Sequence, residues 1–214
     1  MALSLRVLLV DDHELMRQGL RSILEREEGI EVVGEAASGR EAVALASALA
    51  PNVVVMDVAM QDMNGIEATR QIRSVCPGVR VVALSSHSDS RYVTAMLDAG
   101  ASGYVLKANA YDDLRRAVGA ARLGKTYLCA DVTQSVVSAS LRGGRGASPL
   151  TAREREVLQL LAEGLSSPEI AQRLFVATST VETHRRNVMR KLGKHSVADL
   201  TKYAIREGLT SLEP

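Results

Sequence analysis

The first 125 residues alternate short apolar runs with segments of helical periodicity, and this alternation restricts the fold more than any other feature of the chain. The apolar runs lie at residues 5–10, 32–33, 53–56, 79–84 and 103–106. Between them apolar residues recur at helical spacing, as at Leu15, Leu20 and Ile23. Strands that alternate with helices predict a parallel sheet covered on both faces. We therefore expect a doubly wound α/β domain with a five-stranded sheet, whose functional crevice lies at the carboxyl ends of the strands.

The remainder of the chain has a different pattern. From residue 148 onward the periodicity indicates helices only, and 214 residues are enough for two domains. The stretch 141–149 between the two patterns is LRGGRGASP, and its three glycines and one proline are typical of a linker. We predict an α/β domain at 4–125, a linker at 126–147 and an all-α domain at 148–214.

Charge is divided unevenly between these two parts. The formal net charge of +1 indicates no partner, but residues 1–125 contain 14 Lys/Arg and 16 Asp/Glu, whereas residues 126–214 contain 12 and 9. Residues 179–194 combine one acid, Glu182, with five bases, which are Arg185, Arg186, Arg190, Lys191 and Lys194. This cluster indicates either a contact with nucleic acid or only the solvated face of a helix.

Cysteine usage and hydropathy exclude several classes of protein. Cys76 and Cys129 lie outside any Cys-x-x-Cys or Cys/His cluster, so a structural zinc or a disulfide framework is not expected. The N-terminus lacks the basic and apolar regions of a signal peptide. No apolar run approaches the ~20 residues that span a bilayer. We expect a cytoplasmic protein that does not enter a membrane.

Three carboxylates follow two strands that should be neighbours. Asp11 and Asp12 come directly after the first apolar run, and Asp57 ends the third. Acids brought this close repel one another unless a cation joins them, and oxygen ligands suit Mg²⁺ better than zinc. Asp12 could instead only cap the following helix, but capping does not account for Asp57.

A hydroxyl and an ammonium group are expected at the same edge of the sheet. Ser85 ends the fourth apolar run and Lys107 follows the fifth. Acids, a metal, a hydroxyl and a lysine are the groups that phosphoryl transfer to a carboxylate needs. Asp57 would be the nucleophile, Lys107 would neutralise charge on the phosphoryl oxygens, and Ser85 would donate a hydrogen bond to one of them.

Four motifs in this order resemble the receiver domain of two-component response regulators, over about residues 4–125. They are Leu8-Leu9-Val10-Asp11-Asp12-His13, Met56-Asp57-Val58-Ala59-Met60 with Gly65 beyond, Ala83-Leu84-Ser85, and Gly100-Ala101-Ser102-Gly103-Tyr104-Val105-Leu106-Lys107. The resemblance implies a flavodoxin-like fold and phosphorylation of Asp57 by a partner histidine kinase. It also implies a switch pair, in which the Ser85 hydroxyl moves to the phosphoryl group and the Tyr104 ring turns inward.

The same resemblance implies a magnesium site. Asp12, Asp57 and the backbone carbonyl of Ala59 would ligate Mg²⁺, and Asp11 would assist through a water molecule. One position departs from the family pattern, because Gln61 stands where receivers commonly have proline. This change leaves the loop after Asp57 less restricted but removes none of the reacting groups.

Three helices are predicted in the basic part of the chain. Two capping boxes, Thr151 with Glu154 and Ser166 with Glu169, precede the first two helices. The third helix, from about residue 178, has an apolar stripe formed by Val181, His184, Val188 and Leu192. The second and third of these helices are joined by a short turn, and the third is polar and basic. This arrangement is typical of a helix-turn-helix that enters the major groove of DNA.

Residues 148–212 resemble the LuxR-type DNA-binding domain, through Leu150-Thr151-x-Arg153-Glu154-x-Glu156-Val157-Leu158, Glu169-Ile170-Ala171, Thr180-Val181-Glu182-Thr183-His184 and Lys191-Leu192. Behind a receiver domain, this is similar to the NarL/FixJ class of response regulators. The resemblance implies base contacts by Glu182, Thr183 and Arg186, and phosphate contacts by Arg185, Arg190, Lys191 and Lys194. Ala177 stands where the family often has Ser or Thr, so Thr178 or Ser179 could cap this helix instead.

These observations predict a transcription regulator that is not an enzyme. Phosphorylation would favour a homodimer that binds double-stranded DNA through two recognition helices. A Mg²⁺-dependent phosphohydrolase is one alternative, but Val58, Ala59 and Met60 offer no general acid or base beside Asp57. A phosphorylation-controlled RNA-binding or protein-interaction module is another, and five Tyr with one Phe and no Trp disfavour a platform for stacking bases.

Overall fold

The structure, a computed structural model, describes residues 4–140 and 150–210. The chain separates into two compact units, Met1–Gly144 and Arg145–Pro214, and each is described by itself.

The first unit is built on a parallel sheet with helices on both faces. Its strands are β1 (Leu5–Val10), β2 (Ile30–Ala36), β3 (Val53–Asp57), β4 (Arg80–Ser85), β5 (Gly103–Leu106) and β6 (Tyr127–Leu128). Its helices are α1 (Glu14–Leu24), α2 (Gly39–Leu49), α3 (Gly65–Val75), α4 (Ser90–Asp98), α5 (Ala110–Arg122) and α6 (Ala130–Ser140). The strand order is β2-β1-β3-β4-β5-β6, and all pairs are parallel.

Apolar side chains on both faces of the sheet explain why its strands are nearly continuous hydrophobic runs. Leu8 and Val54 face a core closed by α2, α3 and α4, whereas Leu9 and Val55 face a second core closed by α1 and α5. Successive strand residues point to opposite faces, so both sets must be apolar. The predicted fold class, a doubly wound α/β domain followed by an all-α domain, is confirmed.

Two elements beyond residue 125 correct the predicted number of strands and the predicted linker. The sheet has six strands rather than five, because Tyr127 and Leu128 pair with β5. The Cys129 N–H donates to the Tyr104 carbonyl at 3.3 Å, and Cys129 and Val132 are buried in the core. Residues 127–140 are therefore a folded part of the first unit and not linker, while residues 141–147 lie outside the described residues. A two-residue strand is too short to produce a recognisable pattern in the sequence.

The second unit consists of helices around one apolar core. They are α7 (Ala152–Ala162), α8 (Ser167–Arg173), α9 (Thr178–Leu192) and α10 (Val197–Arg206). The core includes Leu158, Ile170, Val181, Val188 and Leu200. Both predicted capping boxes form, at the start of α7 and of α8.

Helix α9 begins where its N-cap residue is Ala177, so neither Thr178 nor Ser179 caps it. The Ala177 carbonyl already accepts from the Thr180 N–H at 2.9 Å, which places Thr178 and Ser179 within the first helical turn. The helix ends at Leu192 and is followed by Gly193 as its C-cap, whose φ of +61° suits glycine. Over the described residues, no helix is long and apolar enough to cross a membrane.

Candidate functional site

The carboxyl ends of four strands bring the predicted reacting groups of the first unit together. Asp11 follows β1, Asp57 ends β3, Ser85 ends β4 and Lys107 follows β5. The strand register places Asp57 beside Leu84 and Ser85 beside Leu106, so these chain positions reach the same edge of the sheet. All four residues therefore stand at the edge of the sheet at which the sequence predicts them.

One ammonium group lies between two buried carboxylates. Lys107 Nζ is 2.7 Å from Asp11 Oδ2 and 2.9 Å from Asp57 Oδ2. Burial disfavours the charged ammonium, but the carboxylates of Asp57 and Asp11 outweigh this effect and raise the pKa of Lys107. Two buried negative charges therefore share a single positive charge.

The ion pair with Lys107 does not fully offset the unfavourable burial of the Asp57 charge. Burial and the nearby charge of Asp11 raise the pKa of Asp57 to about 6, against the opposing effect of Lys107. The carboxylate is almost completely inaccessible to solvent, and its Oδ1 accepts a long hydrogen bond, 3.4 Å, from the Ala59 N–H. The negative charges of the site outnumber its positive charge, so a further cation would be stabilised there.

Asp12 and His13 complete the acidic cluster on its exposed side. His13 Nδ1 lies 2.8 Å from Asp12 Oδ1 and 3.2 Å from Asp11 Oδ1. Ligand atoms of Asp11, Asp12, His13 and Asp57 all lie within 4.8 Å of one another. Three carboxylates at this spacing form a donor set that fits a hard divalent cation. His13 was not predicted here, and its only signal in the sequence is its place directly after Asp12.

The loop after β3 is held against Asp57 by a close backbone approach. A Cβ atom on Gly65 would lie 2.0 Å from the Asp57 carbonyl oxygen, so glycine is required there. The Gly65 N–H also donates to the Val58 carbonyl at 3.0 Å. Arg40 Nε lies 3.0 Å from Asp62 Oδ2 and ties the same loop to the start of α2. This ion pair restrains a loop in which Gln61 replaces the common proline.

Ser85 and Tyr104 meet at the loop after β4. Ser85 is buried and its Oγ accepts a hydrogen bond from the His87 N–H at 3.0 Å. The Tyr104 ring is completely buried, and its hydroxyl donates to the His87 carbonyl at 2.8 Å. Burial raises the pKa of Tyr104 well above its usual range. The His87 ring stacks on Tyr92, with centroids 4.7 Å apart. The role of Ser85 and Tyr104 as a switch pair stays a prediction.

In the second unit, the predicted DNA contacts fall into two groups. Glu182, Thr183, Arg186 and Arg190 are exposed on α9. Lys191 is different, because its Nζ lies 2.6 Å from Oε2 of the buried Glu154, the acid of the first capping box.

The remaining two basic side chains are partly enclosed. Arg185 donates through Nη1 to Ser167 Oγ at 2.6 Å and to Glu182 Oε1 at 3.1 Å. Lys194 is half-buried just beyond the end of α9. The phosphate contacts expected of Arg185 and Lys191 stay predictions, and both side chains have partners within the protein. The contacts of Arg185 with Ser167 and of Lys191 with Glu154 could not be predicted from the sequence, because Ser167 and Glu154 lie on other helices.

Two family descriptions match the chain in the order of its two units. Residues 7–119 match the response regulator receiver domain, and residues 148–204 match the bacterial regulatory proteins of the luxR family. LiaR, a transcriptional regulatory protein of Bacillus subtilis, is 41% identical over 204 residues, which cover 94% of this chain and 95% of LiaR. VraR, a response regulator protein of Staphylococcus aureus, is 37% identical over 207 residues, which cover 97% of this chain and 99% of VraR.

Solved structures of response regulators are also similar. RcsB of Salmonella enterica serovar Typhimurium, bound to a promoter in the presence of the phosphomimetic BeF₃⁻, matches with a TM-score of 0.63 and 28% identity over 95% of this chain and 98% of that chain. The response regulator ChrA of a heme-sensing two-component system matches with a TM-score of 0.54 and 34% identity over 96% of this chain and 98% of that chain.

Proposed function

Because this chain belongs to the NarL/LuxR family of two-component response regulators, which bind DNA, we propose that a partner histidine kinase phosphorylates Asp57 and thereby controls DNA binding by α9. The observation that carries this proposal is the cluster around Asp57. A buried carboxylate with a pKa of about 6 lies 2.9 Å from an ammonium group and beside two further acids. Such a site is suited to a reaction in which the carboxylate accepts a phosphoryl group, because the ammonium and a bound cation can neutralise the negative charge of that group.

The reaction would transfer one phosphoryl group to Asp57. A carboxylate oxygen of Asp57 forms a bond to phosphorus as the bond to the histidine nitrogen of the kinase breaks. Lys107 neutralises charge on the phosphoryl oxygens, since its ammonium already lies beside Asp57. With a pKa of about 6, Asp57 is mostly ionised at neutral pH and hence nucleophilic.

The acidic cluster fits the Mg²⁺ ion that this chemistry uses. Asp12, Asp57 and the Ala59 carbonyl would hold the ion, and Asp11 would support it through water. Bound there, Mg²⁺ supplies positive charge to the phosphoryl oxygens. Lys107 orients the carboxylates of Asp11 and Asp57 through its two ion pairs. The Ala59 N–H also holds Oδ1 of Asp57 by a hydrogen bond.

Ser85 and Tyr104 would transmit the change to the surface. The Ser85 hydroxyl would turn from its contact with the His87 N–H and donate to the phosphoryl group. Its movement would draw the loop at His87 with it, and the Tyr104 hydroxyl is bonded to that loop. Phosphorylation would then shift an existing equilibrium toward the homodimer.

The dimer would bind double-stranded DNA in the cytoplasm through two copies of α9. Half-sites about 10 bp apart would match two recognition helices on one face of the duplex. Glu182, Thr183 and Arg186 would contact bases. The phosphate contacts would come from Arg185, Arg190, Lys191 and Lys194. RcsB, a relative with 28% identity, has been solved as dimers bound to DNA, which supports this arrangement.

Mass spectrometry of the intact protein tests the phosphoryl transfer. With Mg²⁺ and a small acyl-phosphate donor, we expect the wild type to gain one phosphoryl group and Asp57→Ala to gain none. Asp98→Ala, which removes an exposed acid of the same unit, should be labelled like the wild type. Labelling of Asp57→Ala at the wild-type rate would contradict the assignment of Asp57.

A further inference from the structure

A small polar cluster joins the recognition helix α9 to α8. It consists of Ser167, Glu182 and Arg185, and we call it the Ser-Glu-Arg cluster. Arg185 Nη1 donates to Ser167 Oγ at 2.6 Å and to Glu182 Oε1 at 3.1 Å. Ser167 is the first residue of α8, whereas Glu182 and Arg185 are one turn apart on α9. The cluster therefore links the two helices of the helix-turn-helix.

Only one member of the Ser-Glu-Arg cluster opens toward solvent. Ser167 is buried, and the Arg185 side chain is only 23% exposed, compared with 48% for Glu182. The Nε atom of Arg185 is also inaccessible and has no hydrogen-bond partner among the described residues. An arginine enclosed in this way is badly placed to reach a DNA phosphate, whereas the carboxylate that it contacts is accessible.

Ser167 and Arg185 also favour the ionised form of Glu182. The hydrogen bond from the Ser167 hydroxyl is the main cause that lowers the pKa of Glu182, and the charge and hydrogen bond of Arg185 add to it. An ionised carboxylate only accepts hydrogen bonds, and in the major groove the cytosine N4 amino group is the donor that suits it. The same carboxylate would be repelled by the acceptor atoms of guanine.

We infer that Ser167 and Arg185 are positioning residues that hold the Glu182 carboxylate in one orientation, so that α9 selects cytosine at one position of each half-site. This inference rests on the proposed function, in which α9 enters the major groove. It also changes the role of Arg185, which supports base selection through Glu182 instead of contacting a phosphate. A long acidic side chain that is fixed before binding loses less rotamer freedom when it meets its base.

Selection from a random library of DNA duplexes tests the inference. The full chain, treated with an acyl-phosphate donor and Mg²⁺, is bound to duplexes that contain a randomised central segment, and the bound duplexes are sequenced. We expect the wild type to favour cytosine at one position of each half-site by about tenfold, and Glu182→Ala to lose this preference. Ser167→Ala and Arg185→Ala should reduce it to about twofold, because the carboxylate is still present but no longer oriented.

Matched variants separate positioning from general weakening. Ser167→Thr keeps the hydroxyl and should retain most of the cytosine preference. Arg190→Ala removes an exposed basic side chain of the same helix, so it should weaken binding to all duplexes and leave the base preference intact. Circular dichroism and urea unfolding of each variant establish that α9 remains folded.

Two outcomes overturn the inference, and a third separates it from the proposed function. If Arg185→Ala weakens all duplexes equally and keeps the cytosine preference, Arg185 is a phosphate contact. If the wild type selects a motif in which no position depends on Glu182, the cluster has no role in base selection. A wild type that enriches no sequence at all would contradict the proposed function itself, since α9 would then not recognise bases.

Discussion

At the scale of single residues, Asp57 carries an unfavourable charge that the fold tolerates. Its pKa of about 6 lies above that of an aspartate in an unfolded chain, first because of burial and then because of Asp11. Between about pH 4 and the folded pKa the folded state therefore binds more protons than the unfolded state. The ionised carboxylate lowers the free energy of unfolding fully above pH 6 and hardly at all near pH 4.

We predict that Asp57→Asn raises the free energy of unfolding by about 1–3 kcal/mol at pH 7.5, since one pKa unit corresponds to about 1.4 kcal/mol. The difference from the wild type should shrink toward zero as the pH falls to about 4. Urea unfolding across this pH range without divalent cations measures it. Asp98→Asn, at an exposed position, should stay within about 0.5 kcal/mol of the wild type. Equal stability of Asp57→Asn and the wild type at pH 7.5 would contradict the raised pKa.

Phe175, in the turn between α8 and α9, has an unfavourable backbone conformation. Its φ is +53° and the residue is 94% exposed. A side chain with Cβ costs about 1 kcal/mol in this region of backbone space, and the ring gains little burial in return.

We predict that Phe175→Gly raises the free energy of unfolding by about 0.5–1 kcal/mol, because glycine adopts positive φ without strain. Phe175→Ala keeps the Cβ atom and should leave the stability close to that of the wild type. Thermal unfolding of both variants measures the difference. A loss of stability in Phe175→Gly would mean that the aromatic ring has a packing role.

The residues around Asp57 could be predicted from the sequence because each stands where a strand ends. Once the strands are parallel neighbours, the positions of Asp11, Asp57, Ser85 and Lys107 follow from connectivity alone. The contacts of Lys191 with Glu154 and of Arg185 with Ser167 could not be predicted in this way. They depend on the angle between packed helices, which leaves no local pattern in the sequence.

At the scale of elements, β6 and α6 extend the first unit beyond the boundary that the sequence suggests. Val132 is fully buried in the core with Tyr104 and Met96. The Tyr127 hydroxyl also donates to Asp113 Oδ1 at 2.6 Å, which ties β6 to α5. The periodicity that located β1 to β5 fails here, because a strand of two residues is too short to show a pattern.

We predict that Val132→Ala lowers the free energy of unfolding of the first unit by about 1–2 kcal/mol, through lost burial and the cavity that it leaves. Gln134→Ala, on the exposed side of the same helix, should change it by less than about 0.5 kcal/mol. Urea unfolding of the full chain, followed by tyrosine fluorescence, measures both. Equal effects of the two substitutions would mean that α6 does not pack on the sheet.

At the scale of the whole molecule, the near-neutral net charge is the sum of an acidic α/β unit and a basic helical unit. The α/β unit gathers acids around Asp57, and the helical unit presents bases on α9. The prediction of a DNA-binding response regulator instead of an enzyme is confirmed by the family to which the chain belongs. That prediction succeeded because both units carry motifs whose order and spacing are unusual.

The central claim is that phosphorylation of Asp57 strengthens DNA binding, and the affinity for DNA before and after phosphorylation tests it most directly. Fluorescence anisotropy with a duplex enriched by the wild type measures this affinity with Mg²⁺, in the presence and absence of an acyl-phosphate donor. We predict that the donor tightens binding by the wild type by about tenfold or more, a coupling of the usual size between two sites, and leaves Asp57→Ala unchanged. Wild-type affinity that does not respond to the donor, or that rises equally in Asp57→Ala, would contradict the account.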